Sequence, residues 1–114
     1  MRPNEKILEF YNEQSKFGYI ESLSMCKLIE AEEITINLRI TFFSYPYTMG
    51  DKKMVANFIG IKELKLNELE GLYKTIFTIT DISSYQLENI RYTIVEEEHN
   101  ILRFSCRDFK ISFI

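Results

Sequence analysis

From Ile34 to Phe42 every second residue is apolar. Ile34, Ile36, Leu38, Ile40 and Phe42 take one side, and Thr35, Asn37, Arg39 and Thr41 the other. A period of two is the mark of a strand with one buried face, because successive side chains on a pleated backbone point in opposite directions. The period stays near two from Gly18 to the C-terminus, and only before Gly18 is the spacing helical. From Pro3 to about Gln14, the residues Ile7, Leu8, Phe10 and Tyr11 fall in one arc opposite Glu5, Glu9 and Glu13, which predicts a short amphipathic helix. Pro3 suits its first turn, where an amide proton would have no partner, and Gly18 lies where the chain must turn away.

The strands follow from the same reading. Residues 19–29 and 34–42 form a hairpin through Ala31, Glu32 and Glu33, and 44–53 is the longest loop. Residues 54–66 read as one bent strand or two short ones, with Gly60 permitting a bulge. NELEGL (67–72) is a turn and Lys74–Ile82 a strand of β-rich composition. Ile90, Tyr92 and Ile94, then Leu102, Phe104 and Cys106, then Phe109, Ile111 and Phe113 mark strands, the first two joined at EEEHN. The expected fold is α+β: an N-terminal helix packed on a twisted antiparallel sheet of about six or seven strands, in a single domain, 1–114.

Composition narrows the function classes. With 114 residues there is room for one core, and 46% apolar residues with only four Gly and two Pro exclude a disordered or linker-rich chain. A net charge of −3 repels phosphate backbones and anionic lipid, so neither nucleic acid nor a membrane is an expected partner. No apolar run reaches the length of a signal peptide core or a membrane span, and the cytoplasm is the expected compartment. Cys26 and Cys106 stand 80 positions apart and fit neither a disulfide framework nor a CxxC pair, so both are expected as reduced core thiols.

Catalytic chemistry is poorly provided for. The one His, His99, sits in EEEHN at a hairpin tip, where a solvated turn residue is the plainer reading than a base. One His and two distant Cys fall short of a zinc set, and the glycines are too isolated to cradle a phosphate. Asp81 and Asp108 each end a strand-like run and could do acid–base work, but they equally read as turn residues binding backbone amides. No catalytic residue, metal ligand or cofactor is therefore assigned. What stands out is clustered acid: Glu30, Glu32 and Glu33 at one turn and Glu96, Glu97 and Glu98 at another, six of the seventeen acidic residues. Such turns solubilise a chain, or they steer a basic partner. Tyr45, Tyr47 and Met49 decorate the long loop and either meet a partner or fold back on the sheet.

The second half resembles a known pattern. ANFIGIKELKLNEL, FTITDI and NIRYTIVEEEHNILRFSCRDFKI carry Phe58, Gly60 and Ile61, then Asp81, then Phe104, Cys106 and Asp108. Over about residues 54–114 this order is similar to that of small bacterial immunity proteins of polymorphic toxin systems. The resemblance implies a non-enzymatic cytoplasmic protein that binds and neutralises a cognate toxin's effector domain, with Phe104 and Cys106 as core markers. The partner-binding candidates are then Glu30, Glu32, Glu33, Tyr45, Tyr47, Glu96, Glu97 and Glu98, facing a basic effector from a monomer or weak homodimer. Two other readings stay open: a small α+β enzyme using Asp or Glu carboxylates, and a homo-oligomeric subunit pairing through the edge strand FKISFI.

Overall fold

The computed structural model describes residues 3–67, 70–85 and 90–114. Its order is α1 (Pro3–Gln14), β1 (Tyr19–Glu30), β2 (Glu33–Phe43), β3 (Met54–Ile59), β4 (Lys62–Leu66), β5 (Phe77–Asp81), a single 3-10 turn (Ser83–Tyr85), β6 (Tyr92–Glu96), β7 (Leu102–Cys106) and β8 (Asp108–Phe113). The α+β class stands. The eight strands, however, form two four-stranded antiparallel sheets, β1-β2-β3-β8 and β4-β7-β6-β5, where the sequence suggested six or seven strands in one. The strand expected over 74–82 begins only at Phe77, and the turn expected at 67–72 includes two residues, 68 and 69, outside those described.

The split has a local cause. β3 runs on into β4 through Gly60, and β7 into β8 through Arg107; β3 pairs with β8 in one sheet and β4 with β7 in the other. One long ribbon thus bends from sheet to sheet at a shared corner, where the Arg107 amide donates to the Ile59 carbonyl at 2.9 Å. Gly60 has φ +71°, and a Cβ there would stand 3.2 Å from Cβ of Arg107, so any side chain would meet both backbone strain and a crowded neighbour.

The inner faces of the two sheets share one core. Phe58 meets Phe104 edge to face at 4.9 Å between centroids, and Tyr92 meets Phe109 at 5.0 Å. Helix α1 seals the core through Phe10, which makes edge contacts with Phe42, Phe77 and Phe109, while Leu8 of the expected apolar arc is exposed. The helix also closes a sheet edge. Tyr11 Oη accepts from the Ile79 amide at 2.8 Å and donates to the Ile79 carbonyl at 3.1 Å. Gln14 does the same to Phe77, with Oε1 accepting at 2.9 Å and Nε2 donating at 3.0 Å. Two side chains thereby take the place of a ninth strand beside β5 and satisfy backbone groups that burial would otherwise leave unpaired.

One part lies outside this body. β1 and β2 have 12 and 11 residues against five or six elsewhere, and β3 pairs only with Asn37–Phe42. Residues 27–36 therefore overhang as a two-stranded arm, and the molecule measures 43 Å along its longest axis against 28 and 26 Å across.

Candidate partner-binding surface

The arm carries the first acidic turn. Glu30 pairs with Glu33 across the hairpin, Ala31 at its tip takes φ +52°, and Glu30, Glu32 and Glu33 are all exposed. Behind them stand apolar side chains, among them Ile34, which the sequence reading placed on the apolar face of its strand. Register puts Met25, Ile29 and Ile34 on the side that holds Leu23, Leu38 and Ile40 nearer the body, yet Met25 is 50%, Ile29 73% and Ile34 62% exposed. No strand of the second sheet reaches far enough to cover them. The signal that could have found them is length: two strands about twice as long as the rest must leave their far ends without a facing layer. Cys26 lies on the opposite face of the hairpin and is exposed, so it is not a core thiol; Cys106 is, and burial pushes its thiol up to about 12.

The aromatic loop lies at the other end of the hairpin. Tyr45 packs on Tyr19 at 5.5 Å, Tyr19 on Phe43 at 5.7 Å and Phe43 on Tyr47 at 6.0 Å. Lys53 completes this row, its Nζ 5.1 Å from the Tyr47 ring and 2.5 Å from Glu21 Oε1. The rings lean back on the sheet's outer face, while Tyr45, Tyr47 and especially Met49 stay exposed.

The second acidic turn is built differently. Glu97 and Glu98 are exposed, but Glu96 is fully buried. Its place in β6 is on the inner face, opposite Phe77, and its carboxylate accepts four backbone amides: Ile76 and Glu98 on Oε2 at 3.0 Å, His99 on Oε1 at 2.8 Å and Ile101 on Oε1 at 3.2 Å. Burial opposes its charge, but the four amides outweigh burial and hold its carboxyl below the usual glutamate range. Glu96 is thus a turn-building residue, away from the surface the sequence reading gave it. His99 is exposed at this turn and stacks on Tyr73 at 4.7 Å.

The acid–base candidates are also engaged in structure. Asp81 accepts the Ser83 amide at 2.9 Å, and its bonds to Ser83 lower its pKa. Asp108 accepts the Phe109 amide at 2.9 Å and pairs with Lys6; burial opposes its charge, but these partners prevail and lower its pKa too. Neither is poised as a proton donor near neutral pH. Among the described residues no group of three or more His, Cys, Asp or Glu could hold a metal ion, and no helix is long and apolar enough to cross a membrane.

These features define a class: a small two-sheet α+β domain in which Asp81, Glu96 and Asp108 accept bonds from the chain's own backbone, and in which apolar, aromatic and acidic side chains stand exposed along the long hairpin and the loop after it. The particular family is given by sequence comparison. The chain matches the family described as Immunity protein PIM8 over residues 2–112, and it belongs to that family, a class of toxin-neutralising proteins. The match takes in the N-terminal half, beyond the 54–114 segment that carries the resemblance. No curated protein and no solved structure matches the chain.

Proposed function

We propose that the protein neutralises a cognate toxin by binding its effector domain directly, in the cytoplasm and without chemistry of its own. The observation that carries this reading is membership of the immunity family across nearly the whole chain. The surface supports it. Met25, Ile29 and Ile34 beside Glu30, Glu32 and Glu33 put apolar area next to exposed acid, an arrangement that favours a partner with an apolar patch rimmed by basic residues. Tyr45 and Tyr47 offer a separate aromatic patch on the sheet's outer face at the far end of the same hairpin, and Glu97 and Glu98 add to the acidic field.

The test is capture followed by rescue. The tagged protein is recovered from its native host through a moderate-salt wash, the bound protein is identified, and that protein is expressed elsewhere with and without this chain. Toxicity relieved by co-expression, with a stoichiometric complex in vitro, is the expected result. A captured protein whose toxicity the chain leaves unchanged would overturn the reading. Within a validated complex, Gln at Glu30, Glu32, Glu33, Glu97 and Glu98 together is expected to slow association about tenfold at low salt and much less at high salt. Glu96 is left out of that set because it builds the turn.

A further inference from the structure

A sheet edge offers a row of unpaired backbone groups, and proteins shorten, bend, charge or cover such edges. Three of the four edges here are managed. β5 is closed by Tyr11 and Gln14, β4 has five residues and an irregular register at Lys62–Lys65, and β8 has only six residues, with Asp108 and Lys110 among them. The start of β1 is shielded as well, since the Thr75 amide donates to the Gly18 carbonyl at 2.7 Å. From Glu21 to Glu30, among the described residues, no backbone group bonds to the outer edge of β1. It is the longest strand of the fold, and Lys27 is the one charge between Glu21 and Glu30.

We propose that this open edge pairs with the same edge of a second copy, antiparallel and centred on Cys26, joining two four-stranded sheets into one of eight. The occupant follows from the strand's own pattern. A two-fold axis normal to the sheet keeps each face on its own side, so it must pass through a residue, not between two. Centring on Lys27 sets that cation against itself. Centring on Ser24 or Met25 runs part of the pair into the bulge between Ile20 and Ser22. Centring on Cys26 uses the whole regular stretch 22–30. On the apolar face Leu23 meets Ile29 and Met25 meets Lys27; on the other, Ser22 meets Glu30, Ser24 meets Leu28 and Cys26 meets its copy. Pairing covers the exposed flank of Ile29 with Leu23 and lays Met25 along the aliphatic stem of Lys27. The two acidic tips lie at opposite ends of the paired strands, so their carboxylates do not face one another.

The measurement is sedimentation equilibrium of the full chain from micromolar to millimolar concentration. A reversible rise from 13.6 kDa to twice that mass is expected. Met25→Lys places two like-charge pairs against Lys27 and is expected to weaken the dimer about tenfold, whereas Met25→Glu makes two opposite-charge pairs and should bind at least as well as the parent. Circular dichroism and the melting curve identify any variant that fails to fold. Register is read by diamide, which takes two electrons and two protons from two thiols as their S–S bond forms. The parent chain should cross-link through Cys26, because directly opposed strand residues stand about 4.5–5.5 Å apart. Ser24→Cys in a Cys26→Ser background should not, its two thiols being about 13 Å apart along the strands. A single 13.6 kDa species at every concentration, or a dimer indifferent to both Met25 variants, would overturn the proposal. Either result leaves toxin capture and rescue as a separate question.

Discussion

Two turns of this protein look alike as sequence. Each holds three glutamates within four positions between apolar strands, Glu30, Glu32 and Glu33 in one and Glu96, Glu97 and Glu98 in the other. In the fold they do different work. The first ends a free arm with all three carboxylates in water, and a strained Ala31 makes the turn. The second closes over the core, and one of its three carboxylates turns inward to gather four backbone amides. A carboxylate that several amides solvate can be buried and still remain charged; one without them must stay in solvent. Acid at a turn therefore says little about partners until each carboxylate's bonding is known.

The largest expected effect is at Glu96. Glu96→Ala leaves four amides without an acceptor and is expected to destabilise the fold by about 3 kcal/mol in urea unfolding, since each unsatisfied buried donor costs roughly 1–3 kcal/mol and local rearrangement recovers part. The matching change at the tip, Gln at Glu30, Glu32 and Glu33 together, should move stability by less than about 0.5 kcal/mol, as exposed charges do. Equal losses at the two turns would break the distinction.

Next in size is the pH dependence. Because the folded carboxyl of Glu96 lies below its ordinary value of 4.5, its stabilisation is complete above the unfolded value and lost as pH falls through the folded one. Glu96→Gln, which keeps one acceptor oxygen, is expected to cost about 1–2 kcal/mol at neutral pH and to flatten the decline of stability on the acid side. The tip variant should leave that acid-side slope nearly as in the parent. The smallest effect is at Ala31. A left-handed φ of +52° penalises any Cβ by about 1–2 kcal/mol, and glycine's greater freedom in the unfolded chain takes back part of the relief, so Ala31→Gly should raise stability by about 0.5 kcal/mol. Thermal melting reads it, and a loss instead would mean the tip is held by contacts other than its backbone.

Legibility in the sequence followed the range of the interaction concerned. The helix over Pro3–Gln14 and the hairpin centred on Ala31 and Glu32 were readable from spacing, because a few neighbouring residues decide them. So was the burial of Phe104 and Cys106 in an alternating strand. The candidate surface was half legible. Its charged and aromatic members announce themselves by type, but Met25, Ile29 and Ile34 look like core residues and Glu96 like a surface one.

The sequence alone determined which residues share a face, since a period of 3.6 or 2 is a property of the local backbone. It determined the α+β class and most of the element boundaries by the same means. Whether a face is covered is not local, and the tertiary structure alone decided it. The corner at Gly60 and Arg107 sends half the strands to a second sheet, which buries Phe58 against Phe104 and folds the turn after β6 over Glu96. The same short partners end before the long hairpin does, so an apolar stripe that begins in the core at Leu38 and Ile40 finishes exposed at Ile34.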